Sequence, residues 1–135
     1  MAHYLHVHDD AYADLDKLWD EDEAAAARIE ALLEEIEGDT DLLDRLSQNG
    51  YGRPGRDDFN VVWLENQIRV GNNLWRLKMW DVKDHRVIYA FFPSSPTSGT
   101  YHVLGVMRRA INYDRNHEFI QRIESAYTKL RNGDR

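Results

Sequence analysis

The chain has no cysteine. Disulfide cross-links and thiolate metal sites are therefore excluded, and a packed core has to hold the fold. Its 3 prolines and 8 glycines form no long linker, and no tract repeats or is of low complexity. One domain over residues 1–135 is the expectation. No window approaches the ~20 apolar residues of a membrane span, and the N-terminus has no apolar leader. A soluble cytoplasmic protein with no membrane partner is expected.

What is present is aromatic and unevenly charged. Four Trp, 7 Tyr and 4 Phe within a 42% hydrophobic composition suffice for a core. The net charge of −7 hides two unlike parts. Residues 1–49 carry 15 acidic and 3 basic side chains, whereas residues 50–135 carry 9 and 14. An acidic helical part, about 9–49, thus precedes a basic sheet and last helix, about 58–131. The basic part suits nucleic acid, and the acidic part is repelled by it or is simply a solvated surface.

His3–His8 alternates as a strand, with Leu5 and Val7 on one face. His6 and His8 have a spacing that suits chelation, but only His3, Asp9 or Asp10 offers a third ligand, so they are read as surface residues. No metal or other cofactor is assigned. Asp10 is the expected cap of a helix with the stripe Ala11, Leu15, Leu18 and Trp19. Asp20 with Glu23 resembles a capping pattern for a second helix, where Ile29, Leu32, Leu33 and Ile36 face inward and Gly38 stops the run. Asp39 or Thr40 opens a short third helix ending before Asn49-Gly50. Tyr51–Asp58 reads as a loop carrying Arg53 and Arg56. Phe59–Leu64 and Ile68–Val70 read as strand.

The most informative stretch is Leu74–Tyr113. In Leu74–Trp80, Trp75, Leu77 and Met79 point one way, and Arg76 and Lys78 the other. Arg86–Phe92 is nearly all apolar, as in a central strand. Tyr101–Met107 is a further strand that ends in Arg108 and Arg109. Hairpins are expected around Val82–His85 and Pro93–Thr100, the second with a long polar loop. Arg76, Lys78, Arg108, Arg109 and Tyr113 are expected near one side or end of the sheet. Asn116 is the expected cap of a closing helix with the stripe Phe119, Ile120, Ile123, Tyr127 and Leu130.

This order of LWRLK, RVIYAF, YHVLGVMRR, a following Tyr and a last helix ending near AYTKL resembles the RelE/ParE superfamily. These proteins are the toxins of bacterial type II toxin–antitoxin pairs. HYLHVH and AYADLDKL resemble the usual first strand and helix. The resemblance implies an α+β fold: a small antiparallel sheet of four to five strands, an N-terminal helical hairpin on one face and a C-terminal helix. It also implies a ribosome-dependent endoribonuclease that cuts mRNA without metal and inhibits translation. Its partners are then the ribosome, mRNA and a cognate antitoxin, with which it forms a hetero-oligomer.

On the matching positions, the resemblance makes Arg108 the transition-state clamp and Tyr113 a base or stacking platform. Lys78 and Arg76 take the basic positions on the preceding strand. Arg86, Arg109, Arg53 and Arg56 are candidate RNA contacts. His102 and His117 are weighed as acid–base groups because imidazole titrates near neutrality, and they rank below the arginines. Two other readings stay open. One is a ParE-like inhibitor of DNA gyrase that acts by binding. The other is a non-toxic relative that binds a protein. Strand Arg and Lys also guard sheet edges with no further function.

Overall fold

The computed structural model describes residues 3–133. Five strands form one sheet in the order β1-β5-β4-β3-β2. They are β1 (His3–Val7), β2 (Phe59–Trp63), β3 (Leu74–Met79), β4 (His85–Ser95) and β5 (Ser98–Arg108). The pair β1–β5 is parallel and the other three pairs are antiparallel. The helices α1 (Asp9–Glu21), α2 (Glu23–Glu37) and α3 (Thr40–Arg45) join β1 at one edge of the sheet to β2 at the other. A one-turn helix α4 (Glu65–Ile68) lies between β2 and β3, and α5 (Glu118–Arg131) closes the chain. The expected α+β class, with an N-terminal helical hairpin and a C-terminal helix, is what the chain adopts. Among the described residues, no helix is long and apolar enough to cross a membrane.

Each face of the sheet has its own core. On one, Leu15 and Leu18 of α1 and Ile29, Leu32 and Ile36 of α2 cover Val61, Leu77, Val87, Tyr89 and Val103. The buried Tyr89 hydroxyl donates to the Leu46 carbonyl at 2.6 Å, so this polar group is not stranded. On the other face, Ile120, Ile123, Tyr127 and Leu130 of α5 cover Leu74, Ile88, Ala90, Leu104 and Met107. Trp75, Leu77 and Met79 are buried toward the first core, as alternation requires.

Several local expectations are corrected. His8, not Asp10, precedes α1, and Asp9 and Asp10 sit in its first turn, where the helix dipole favours them. Asp22, not Asp20, caps α2 by accepting from Ala25 N–H at 3.1 Å. His117, not Asn116, caps α5 through Nδ1, which accepts from Phe119 N–H at 3.0 Å. Ile68–Val70 is not strand, because α4 occupies Glu65–Ile68 and Ile68 and Val70 are exposed. The loop expected at Pro93–Thr100 is mostly strand, since β4 runs to Ser95 and β5 starts at Ser98.

The largest departure is a β-bulge. Ile88 pairs with Gly105, but Tyr89 pairs with Val103, so Leu104 is an extra residue on β5. Tyr101 and Val103 face α1 and α2, and after the bulge so does Val106. A one-residue shift sends every later side chain to the opposite face. The bulge lies just beyond the end of β1, where β5 becomes an open edge. There Asp14 of α1 accepts from Val106 N–H at 2.9 Å and takes the place of a neighbouring strand. Arg122 of α5 donates to both Asp14 oxygens, at 3.0 and 2.7 Å. This clasp joins α1, β5 and α5. An added Cβ at Gly105 would lie 2.6 Å from Arg122 Nη2 and 2.9 Å from Phe119 Cζ, so both side chains would have to shift.

Candidate functional site

The α5 face of the sheet is only partly covered by its helix. Toward the end where β3 finishes and β4 begins, it carries Arg76, Lys78 and Arg86. All three follow from alternation with Leu74 and Ile88, which lie in the α5 core. Arg109 and Tyr113 arrive from the segment after β5. Among the described residues, none of Arg76, Lys78, Arg86 and Arg109 forms an ion pair with a carboxylate.

Arg76 is held by an adaptor. Its Nη1 donates to the Asn60 carbonyl at 3.2 Å and to Asn60 Oδ1 at 2.7 Å. Asn60 Nδ2 donates in turn to the carbonyls of Tyr51 at 2.9 Å and Gly52 at 3.3 Å, so the amide oxygen faces the guanidinium. Gly52 takes φ +103°, and a Cβ there would meet the Phe59 carbonyl at 1.9 Å. Nη1 is thus fixed by Asn60, and the Tyr113 side chain is a further hydrogen-bond partner of the guanidinium. Burial lowers its pKa, Tyr113 raises it and Arg86 lowers it.

Lys78 lies among these charges with its ammonium 4.8 Å from the Trp80 ring centroid. Its pKa is lowered by burial first, and then by Arg86, Arg76 and Arg109. Arg86 is buried, and its Nη1 donates to the carbonyls of Lys83 and His85, both at 3.0 Å. It therefore supplies positive potential from beneath rather than an exposed fork. Tyr113 follows Asn112, and both are left-handed, with φ 60° and 51°. Such φ values are uncommon for residues other than glycine, more so for Tyr than for Asn. Asn66 Nδ2 donates to the Tyr113 carbonyl at 3.0 Å and fastens the turn beside Arg76.

Arg108 is not in this group. The bulge turns it toward α1, where Nη2 donates to Glu21. It lines clefts of about 580 and 630 Å³ whose walls include Asp14, Glu21, Asp22, Asp84 and Glu118. Arg109 lines the second cleft as well, and the carboxylates of both clefts oppose a phosphate. His85 lies there too, its pKa lowered by burial and then by Arg108. Arg53 and Arg56 also lie apart, in a loop beside Arg45 and Tyr51. That loop closes on Asp57, which accepts from Arg53 N–H at 2.9 Å and from the Tyr51 hydroxyl at 3.2 Å.

The histidines have structural partners. His102 is buried, and its Nδ1 is 2.9 Å from His8 Nε2. The His6 and His8 rings meet edge to face, 4.6 Å apart. Among the described residues, no group of His, Cys, Asp or Glu is arranged to hold a metal ion.

Sequence reasoning missed Asn60, Asn66 and Trp80. Asn60 was within reach, because it lies on the Val62 face of β2 directly opposite Lys78. The turn of Arg108 also had a signal, a glycine inside a strand pattern. The chain finds no match among protein-family models, curated proteins or solved structures.

Proposed function

We propose that this chain is a RelE-like toxin that binds mRNA on its cationic face and cleaves it on the ribosome. One observation carries the reading: Arg76, Lys78, Arg86 and Arg109 converge beside Tyr113, and among the described residues none of them forms an ion pair with a carboxylate. Holding like charges together costs free energy in the unliganded protein, and an anion relieves it. The planar guanidinium of Arg76 also suits the oxygens of a phosphodiester.

The chemistry needs a group to take the 2′ proton, a group to stabilise the phosphorane and a group to protonate the leaving 5′ oxygen. Lys78 takes the 2′ proton, because its lowered pKa raises the neutral fraction. The 2′ oxygen then bonds to phosphorus as the bond to the 5′ oxygen breaks. Arg76 clamps the non-bridging oxygens, with Arg109 beside it and Arg86 beneath. Tyr113 gives its proton to the leaving oxygen and recovers one from Lys78 or water. No metal or cofactor enters this scheme. The cytoplasm, the ribosome and a cognate antitoxin belong to the same proposal. The antitoxin lies along the sheet or displaces α5 and buries the apolar surface that includes Phe119, Ile123 and Tyr127.

The Arg108–Glu21 pair favours a second reading. The arginine that the resemblance makes the clamp is engaged on the other face, as in a protein that binds its target without cutting it. Such a protein is a ParE-like gyrase inhibitor or a non-toxic protein binder. Inducible expression with mapping of transcript ends separates the readings. Cleaved messages and arrested translation, both relieved by Lys78→Ala, support the nuclease. Stalled replication with intact messages supports the gyrase inhibitor, and harmless induction supports the protein binder.

A further inference from the structure

The end of α3 and the loop that follows it enclose a cavity of about 410 Å³. Its lining includes Arg45, Arg53, Arg56, Tyr51 and Asp57, and none of Arg76, Lys78, Arg86 and Arg109. Three arginines thus share the space with one carboxylate. Among the described residues, none of the three forms an ion pair. Like charges held together without a counter-charge favour an anion.

The walls are fixed by the loop's own bonds. Asp57 uses both oxygens there, one for the Arg53 N–H and the other for the Tyr51 hydroxyl. The Arg53 carbonyl accepts from the N–H groups of Arg56 at 3.2 Å and Asp57 at 3.0 Å. Asn60 holds the carbonyls of Tyr51 and Gly52 from the side of β2. The Arg45 guanidinium lies 5.4 Å from the Tyr51 ring centroid. The Gln48 amide stands between Arg45 and Asp44, accepting from Arg45 at 3.3 Å and donating to Asp44 at 3.1 Å. Asp58 is outside the lining, and its charge acts on Arg28. Burial and then Asp57 raise the pKa of the Tyr51 hydroxyl, against a pull from Arg45 and Arg56. The fields of those two arginines therefore meet at one point of the wall.

We infer that this cavity binds a terminal phosphate group, that of a nucleotide or of an RNA end. The charges select it. Three arginines less one carboxylate leave two positive charges, and a phosphate monoester near neutral pH carries close to two negative ones. A backbone phosphodiester carries one. The monoester also offers three terminal oxygens to planar guanidinium groups, where the diester offers two. The volume is in the range of small-molecule sites, so the group attached to the phosphate is admitted as well. This site stands apart from the cationic face and does not depend on RNA cleavage there. It gives Arg53 and Arg56 a ligand of their own.

The test is a titration of the whole, isotope-labelled chain at fixed ionic strength, read by the NMR shifts of the Gly50, Gly52 and Arg53 amides. The probes are uridine monophosphate, the dinucleotide UpU, which has a diester and no terminal phosphate, and UpU phosphorylated at its 5′ end. Uridine monophosphate is expected to shift these amides saturably and to bind roughly ten-fold more tightly than UpU. Arg56→Gln, an exposed change whose folding a matched thermal melt verifies, should weaken it roughly ten-fold. Lys78→Ala, on the cationic face, should change it less than about two-fold. Phosphorylated UpU that binds as well as the mononucleotide, or better, supports the site with an RNA end as its ligand. Weaker binding supports it with a free nucleotide. Absence of a saturable shift with either phosphorylated probe overturns the inference. Equal binding of UpU and uridine monophosphate at these amides overturns it too, because the cavity then reads a backbone linkage. So does mononucleotide binding that survives Arg56→Gln.

Discussion

Arg108 and Arg109 are adjacent in the chain and line one cleft, but they differ in their partners. Arg108 faces α1 and is neutralised by Glu21. Arg109 adds to the positive field at Lys78 with Arg76 and Arg86, and among the described residues none of these four forms an ion pair with a carboxylate. The same division runs through both faces of the sheet. On the side of α1 and α2, Arg28 meets Asp81 at 2.8 Å. On the other, the cations of the uncovered end lie close together and form no ion pair among the described residues. A paired arginine on a solvated surface is explained by its pair. Four unpaired cations in one patch call for a ligand. Charge alone does not separate the two faces; the presence or absence of a counter-charge does.

The comparison depends on the bulge, and the clasp around the bulge is the place to break it. Asp14→Ala strands the Val106 N–H and leaves Arg122 without its partner. The two side chains are 18% and 36% exposed, so the loss is smaller than for a fully buried pair. A cost of about 2–3 kcal/mol is expected from the unmade hydrogen bond and the uncompensated charge. Urea unfolding measures it as a lower midpoint at unchanged slope. A change below about 0.5 kcal/mol would show that the edge is satisfied by other means. Gly105→Ala attacks the same point by collision and is expected to match it in direction.

Binding sharpens the comparison next. Arg76→Ala is expected to weaken single-stranded RNA binding about ten-fold and to reduce the salt dependence by about one phosphate contact. Arg108→Ala, on the other face, should change affinity less than about two-fold. Titrations at several salt concentrations read both quantities. Equal losses from the two variants would mean that the ligand wraps the end of the sheet, and the division between the faces would fail.

Acid sharpens it in a third way, through groups away from the cationic patch. His8 has its pKa lowered by burial and then by His6, against the opposing pull of Asp9 and Asp10. His85 is lowered by burial and then by Arg108, against Asp22, Asp84 and Glu21. Both folded-state values lie below the ordinary 6.5. The unfolded chain therefore binds more protons than the folded one between those values and 6.5, so stability rises with pH through that window and levels off above it. Unfolding midpoints should fall as pH drops from ~7 to ~5. His8→Asn should make that fall shallower, and an unchanged fall would assign the effect elsewhere.

These outcomes bear on what a reader of the sequence can and cannot see. Alternation set Trp75, Leu77 and Met79 against Arg76 and Lys78, and the period of two survived folding because both faces are specified. The helix stripes survived for the same reason. Caps were harder to place, because runs such as Asp20-Glu21-Asp22 offer several acceptors, and the position at which α1 ends decides among them. Short apolar runs were ambiguous, and Ile68–Val70 followed α4 out of the sheet. Most of the candidate site was legible because it lies on β3 and β4, where nothing interrupts the period. The sequence places Arg108 and Arg109 together at the end of β5, but the bulge at Leu104 turns Arg108 toward α1.

The smallest expected effect tests whether Arg108 matters to the fold at all. It is 60% exposed and Glu21 is 39% exposed, so water and salt screen the pair. Holding two long side chains in register also costs rotamer entropy, which offsets most of the Coulomb attraction. Arg108→Ala should therefore cost less than about 1 kcal/mol in urea unfolding, and added salt should shrink the difference further. Glu21→Gln should match it within error, because either change removes the same pair. If Arg108→Ala costs much more than Glu21→Gln, Arg108 supports the end of β5 by packing rather than by charge. Its place opposite the cationic face would then be a requirement of the fold, and the resemblance that made it a clamp would lose its strongest residue.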